Sequence, residues 1–302
     1  MKNELITFVS PKTQISEVFR TLRTNIQFMN VDESLKSLLV TSTVPGEGKS
    51  WVSSNLAVTF AQAGKRVLLV DADMRKGRQH EIFEISNAKG LSNYLIMTTK
   101  NDIASTIGDY IQPTLIDNLY VMTAGVIPPN PSELLTSQKM VDLIKYLESI
   151  FDIVIFDGTP STIVTDAIIL SKFVDTTLIV SAHKITKIDD LNQVKRNIQN
   201  VGGKIAGVIL NKIPSTRKEY KAGYYYENAI VTSKSVEPQT ATKTSKKKKV
   251  EESEIKEVKR KLNEVESPKK ETKKESKNQD EDVDINLVLK QLSKYLTETD
   301  KK

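Results

Sequence analysis

The chain has no cysteine. That excludes both a disulfide framework and a thiolate metal site. Histidine is nearly as scarce. His80 and His183 are the only two, too few to build a histidine zinc centre. No apolar run approaches the ~18 residues that a membrane span requires, and the first residues lack the apolar core of a signal peptide. The expectation is a cytoplasmic chain, reaching a membrane's inner face only through a partner. Charge of one sign is also lacking over most of the length. The net +6 sits mainly beyond Ser233, and the rest is close to balance. A nucleic-acid-binding core is therefore not indicated, and no nucleic-acid partner is expected.

What is present first is a rhythm. Short apolar, β-branched runs occupy 37–41, 66–70, 118–123, 152–156, 176–181 and 205–210. Helical patterns such as 131–150 and 187–200 lie between them. Near-continuous apolar strands alternating with helices predict an α/β fold, a parallel sheet with helices on both faces. In such a sheet ligands bind beyond the carboxyl ends of the strands. The composition changes near Ser233 to Lys, Glu, Ser and Thr, with Lys246-Lys247-Lys248-Lys249 in succession. A segment so poor in apolar residues cannot offset its ordering entropy, so 229–302 reads as mostly disordered. Within it Ile285, Val288, Leu289, Leu292 and Leu296 recur at helical spacing, predicting a short amphipathic helix near 285–296. That helix either docks on a partner or on the core, or stands alone.

The apolar run at 37–41 leads into Thr43-Val44-Pro45-Gly46-Glu47-Gly48-Lys49-Ser50 and then a helical stretch. Strand, glycine-rich loop and helix is the setting of a phosphate-binding P-loop of Walker A type. Backbone N–H groups of the loop and helix start point at anions. Lys49 adds a compact positive charge, and the Ser50 hydroxyl suits Mg²⁺. The first glycine of the general pattern is Thr43 here.

Acids end two of the remaining runs, and an amide ends a third. The run at 66–70 passes into Asp71-Ala72-Asp73-Met74-Arg75. Residues two apart on an extended segment share a side, so Asp71 and Asp73 can converge on a cation. The alternative is a solvated turn. Asp157 ends the run at 152–156 in the manner of a Walker B acid, although Asp157-Gly158 is also a common turn pair. Asn211 ends the last run, where its amide either reads a nucleobase edge or bonds the local turn.

Tyr220, Tyr224, Tyr225 and Tyr226 crowd into seven residues among lysines and small residues. They read either as an aromatic contact strip or as phosphate acceptors on an extended strand. Near the N-terminus, Glu17, Arg20 and Arg23 follow at one-turn intervals on a helical stretch. Taken alone they make a solvated face with an ion pair worth ~0.2–0.5 kcal/mol.

Together these motifs resemble those of the bacterial tyrosine kinases of the capsule and exopolysaccharide type, in their Gram-positive, separate-chain form. The resemblance covers 1 to about 228. It rests on the Walker A loop, on Asp71-x-Asp73-x-Arg75 as Walker A′, and on Asp157-x-x-Pro160 as Walker B. Pro128-Pro129-Asn130-Pro131-Ser132-Glu133-Leu134-Leu135, Glu17-x-x-Arg20-x-x-Arg23 and the tyrosine cluster complete it. The resemblance implies a P-loop fold of the deviant-Walker (SIMIBI-like) kind. It implies an ATP- and Mg²⁺-dependent protein-tyrosine autokinase that regulates polysaccharide synthesis and export. Lys49, with Pro45, Gly46, Glu47, Gly48 and Ser50 of the loop, would hold phosphates. Trp51 and Asn211 would complete the nucleotide site. Ser50 and Asp73 would bind the metal, Asp157 would support it through water, and Asp71 would take the tyrosine proton. Glu17, Arg20 and Arg23 would join subunits into a ring, and the tyrosine cluster of one chain would enter the next chain's site. The expected partners are copies of itself, a membrane-anchored polysaccharide co-polymerase adaptor and a phosphotyrosine phosphatase.

Two features depart from that family. Trp51 stands where a small hydroxyl residue is expected, and either packs under the loop or stacks near the nucleotide. The tyrosine cluster is followed by a long tail, in which Tyr295 is an additional acceptor candidate. The chain thus divides into an oligomerisation region at 1–35, a kinase domain at 36–218, the cluster at 219–228 and the tail at 229–302. Positioning ATPases of the Min and Par kind, on the same fold, are the first alternative. They carry Lys-Gly-Gly-x-Gly-Lys, and Val44-Pro45-Gly46-Glu47-Gly48-Lys49 lacks that first lysine. A non-catalytic scaffold for a polysaccharide machine is the second.

Overall fold

The computed structural model describes residues 4–29, 35–97 and 103–214. The tyrosine cluster, the tail and its amphipathic segment lie outside them. Seven strands form one sheet: β1 (Ser37–Ser42), β2 (Val67–Asp71), β3 (Gln112–Pro113), β4 (Leu119–Met122), β5 (Ile153–Pro160), β6 (Thr176–Ala182) and β7 (Ile205–Asn211). Their order is β3-β4-β2-β5-β1-β6-β7. All neighbours are parallel except β3, which pairs antiparallel with β4 at the edge. The six apolar runs are the six parallel strands. The edge strand β3 carries Pro113 and no apolar run, so no period-two pattern announces it.

The helices are α1 (Ile6–Val9), α2 (Gln14–Phe28), α3 (Lys49–Gln62), α4 (Gln79–Phe83), α5 (Leu91–Met97), α6 (Ile103–Thr106), α7 (Pro131–Thr136), α8 (Gln138–Ile150), α9 (Asp166–Ser171) and α10 (Ile188–Asn200). The helical pattern at 131–150 is two helices rather than one. Ser137 turns to an extended conformation between them, and its hydroxyl accepts the Met140 N–H to cap α8. Pro131 opens α7, where its missing N–H costs nothing.

Two apolar clusters cover the sheet. One joins β1 and β2 to α3, with Leu5, Phe19 and Ile26 from the N-terminal elements. The other joins Leu68, Val70, Val154 and Phe156 to α5, α8 and α9. Helix α3 is buried nearly all round, between the sheet and α1 and α2. Its buried polar groups are therefore bonded. The Asn55 amide donates to Glu4 O (2.9 Å) and Trp51 O (2.9 Å), and its oxygen accepts the Thr7 N–H (3.1 Å) and hydroxyl (2.9 Å).

Candidate active site

The strand order puts β5 between β1 and β2, so three motif-bearing strands end side by side. Asp71 and Asp157 are register partners across parallel β2 and β5, and Val40 faces Asp157 from β1. Adjacent strands lie ~4.8 Å apart. Both carboxylates are fully buried, and Asp73 nearly so. Lys49, the first residue of α3, reaches into this cluster. Its Nζ stands 3.0 Å from Asp73 Oδ2, 3.5 Å from Asp157 Oδ1 and 3.2 Å from Ser50 Oγ.

Three carboxylates around one ammonium leave an uncompensated negative charge. Its effect is visible in Asp71. Burial first, then the neighbouring Asp157 charge, push its carboxyl up to about 8, against the opposing pull of Lys49 and the Gln79 N–H. Burial alone would lower Lys49, but Asp157, Asp73 and Asp71 outweigh it and hold the amine above its ordinary value. Lys49 therefore stays charged at neutral pH. Asp71 Oδ1 and Asp157 Oδ1 accept no hydrogen bond, and Asp157 Oδ1 has the Lys49 ammonium 3.5 Å away. Buried acceptors without donors, beside excess negative charge, suit a hard divalent cation. No group of three or more acids or histidines among the described residues forms a metal cage of its own. Mg²⁺ is commonly held by one or two carboxylates, with water and phosphate completing its shell.

The P-loop has an internal anchor. Glu47 is fully buried, and its carboxylate accepts the Thr43 N–H (2.7 Å), the Val44 N–H (3.0 Å), the Thr43 hydroxyl (2.6 Å) and the Thr186 hydroxyl. Thr43, in place of the usual glycine, thus supplies a donor to the loop's own acid. Gly46 and Gly48 have φ of +83° and +101°, a region unfavourable to side chains. A Cβ on Gly48 would lie 2.2 Å from Asn211 Nδ2. That amide donates to Glu47 O (2.8 Å), and its oxygen accepts the Lys212 N–H (2.8 Å). Asn211 thus buttresses the loop from the end of β7.

Trp51 packs edge-to-face on Phe19 of α2, with ring centroids 5.2 Å apart. Glu17 and Arg20 form their ion pair on α2. Arg23 departs from that row: its guanidinium donates to Thr59 O of α3 (2.9 Å). Arg75 makes a two-pronged pair with buried Asp166 at the start of α9 (2.7 and 3.1 Å), which also accepts the Ser132 hydroxyl (2.6 Å). The 128–135 segment is thereby tied to the Asp71-x-Asp73-x-Arg75 loop. Sequence reasoning missed Asp166, Thr186 and Gln79. Only the last is a buried polar residue directly contacting two of the site acids.

Residues 38–257 match the family model of the CobQ/CobB/MinD/ParA nucleotide binding domain, which makes the protein a P-loop nucleotide-binding protein of that class. CapB of Staphylococcus aureus is 42% identical over 217 residues, 72% of this chain and 91% of that one. The tyrosine-protein kinase YwqD of Bacillus subtilis is 40% identical over 226 residues, 74% and 92% of the two chains. The solved kinase domain of the Escherichia coli tyrosine kinase ETK superposes with a TM-score of 0.65 at 33% identity, covering 70% of this chain and 82% of that one. The chain belongs to the bacterial tyrosine kinases, and its enzymatic activity is that of a protein-tyrosine kinase. No helix among the described residues is long and apolar enough to cross a membrane.

Proposed function

We propose that the chain is an ATP- and Mg²⁺-dependent autokinase that phosphorylates Tyr220, Tyr224, Tyr225 and Tyr226 of a neighbouring subunit, and so regulates capsular or exopolysaccharide synthesis and export. The observation that carries the reading is the convergence of Lys49, Asp71, Asp73 and Asp157 at adjoining strand ends beside an anchored P-loop. The loop N–H groups and Lys49 hold the β- and γ-phosphates. Ser50, Asp73 and Asp157 are the residues that would hold Mg²⁺, which would supply positive charge against the phosphates as they react. Asp71 takes the proton of the attacking tyrosine hydroxyl. The tyrosine oxygen bonds to the γ-phosphorus as the bond to the β-phosphate oxygen breaks, and ADP leaves. Free tyrosine, with a pKa near ~10, is barely ionised at pH 7, so a base is needed, and positive charge bound beside Asp71 would release the proton it holds in the nucleotide-free protein and free it for that task. The loose transition state leaves placement and charge compensation to supply most of the catalysis.

Glu17, Arg20 and Arg23 on α2 join subunits into a ring, and Arg23 also ties α2 to α3 through Thr59 O. Each phosphotyrosine adds about −1.5 to −2 charge, so four add about −6 to −8 and eject the strand from an already acidic site. A membrane-anchored adaptor activates the kinase at the membrane's inner face, and a phosphotyrosine phosphatase resets it. Phosphosite mapping after incubation with Mg-ATP, with and without the adaptor's cytoplasmic segment, tests this. Wild type should carry phosphate at 220–226, while Lys49→Met and a four-Tyr→Phe variant should not. ATP hydrolysis without tyrosine modification would instead favour a positioning ATPase.

A further inference from the structure

Gln79 contacts the catalytic acids from a direction that no motif marks. It opens α4, eight residues beyond Asp71, and is fully buried. Its backbone N–H donates to Asp71 Oδ2 at 2.9 Å. Its side-chain NH₂ donates to Asp157 Oδ2 at 2.8 Å and shares its remaining capacity between Ser50 O and Ser53 Oγ, both at 3.2 Å. Its carbonyl oxygen accepts the Ser54 hydroxyl at 2.9 Å. One residue thus ties the end of β2, the end of β5 and the first turn of α3 together. The chain is shaped to deliver it. A Cβ on Gly77 would lie 2.6 Å from both Asp71 Oδ2 and Ala124 Cβ, so only a glycine there lets the backbone wrap closely enough around Asp71.

We propose that Gln79 is a positioning residue for phosphoryl transfer, one that sets the orientation of Asp71 and Asp157 relative to the P-loop helix. It takes one oxygen of each carboxylate, Oδ2, and leaves each Oδ1 without a hydrogen-bond donor. A rotation of either carboxylate would exchange the oxygen held by Gln79 for the other one. The neutral amide does this without bringing a cation into a cluster whose negative charge must attract one. Lysine or arginine at this place would compete for the carboxylates. Glutamate would keep the shape and the Ser54 contact, but lose the donor to Asp157 and add a fourth negative charge. Methionine would keep the volume and lose every side-chain hydrogen bond.

The inference rests on the kinase reading of the site, and the test separates the two. Gln79→Met and Gln79→Glu are made in the full chain beside wild type. Three quantities are measured: kcat and KM for ATP in autophosphorylation, the melting temperature, and the factor by which Mg²⁺ tightens ADP binding, by titration calorimetry. Loss of a residue that orients metal-side groups typically costs 10–100-fold. The expected result is a kcat about 10–100-fold lower with KM for ATP within about threefold, and a Mg²⁺ factor reduced about tenfold or more while metal-free ADP affinity holds. A folded Gln79→Met protein with kcat and Mg²⁺ factor within about threefold of wild type would overturn the proposal. So would kcat and KM shifting together in step with lost thermal stability, the mark of a merely structural role. If Gln79→Met does not fold, Gln79→Glu decides by the same criteria. If wild type makes no phosphotyrosine, the kinase reading falls and the Mg²⁺ factor alone decides on Gln79.

Discussion

Raising the pH from 6 to 7 should destabilise the nucleotide-free protein through Asp71. Its carboxyl is pushed up to about 8 in the folded state, against ~3.9 in an unfolded chain. Between those values the folded protein holds a proton that the unfolded chain has released. The stabilisation is complete below the lower value and is lost as pH rises through the higher one. Within the window the slope approaches one proton, so the step from pH 6 to 7 costs on the order of 1 kcal/mol. For a domain of this size that is about 2–4 °C in melting temperature. Asp71→Asn removes the titration and retains an oxygen to accept the Gln79 N–H. Scanning calorimetry at both pH values, without nucleotide or metal, compares the two proteins. Wild type should lose those degrees and Asp71→Asn should not. Equal losses in both would refute the claim that the acid cluster forces a proton onto Asp71. Mg-ADP should flatten the wild-type dependence, because a cation beside the acids replaces the proton.

The remaining predictions concern the supports of the site. Gly48→Ala forces a side chain into a left-handed backbone and against Asn211. It should cost about 2–3 kcal/mol by denaturant unfolding and weaken nucleotide binding about tenfold or more by calorimetry. Glu47→Gln turns an amide NH₂ toward donors that the carboxylate now accepts. A loss of about 2–3 kcal/mol, with a raised KM for ATP, should follow in unfolding and steady-state assays. Arg75→Ala leaves buried Asp166 with Ser132 alone. Breaking a buried pair costs ~3–5 kcal/mol, but Arg75 is 39% exposed, so about 1–3 kcal/mol is expected once solvent screening is included. Arg75→Lys should recover only part of it, since one ammonium cannot reproduce the paired contact.

The parts of this protein written in contiguous residues were legible from the sequence. The six parallel strands followed from apolar runs, because a strand buried on both faces must be apolar throughout. The P-loop followed from glycines and a lysine at fixed spacing, and the site acids from their place at the ends of those runs. The break at Ser137 was hidden, because the helical period of α7 continues into α8 without a glycine or internal proline. Trp51 was ambiguous because its neighbour, Phe19, lies on another helix.

By itself the sequence determined the fold class, the phosphate loop, the acids that face it and the family that shares them. Each depends on local pattern or on order along the chain. Only the tertiary structure decided how those pieces are held. Glu47 meets Thr186, Asn211 meets the P-loop, and Arg75 meets Asp166, across long stretches of chain. Gln79 is the clearest case. In sequence it is one polar residue at the start of a short helix. Its importance arises because β5 inserts between β1 and β2, bringing Asp71, Asp157 and Ser50 within hydrogen-bond reach of a single buried amide. Residue type fixes what an amide can donate and accept, and only the strand order fixes which groups lie near enough to receive it.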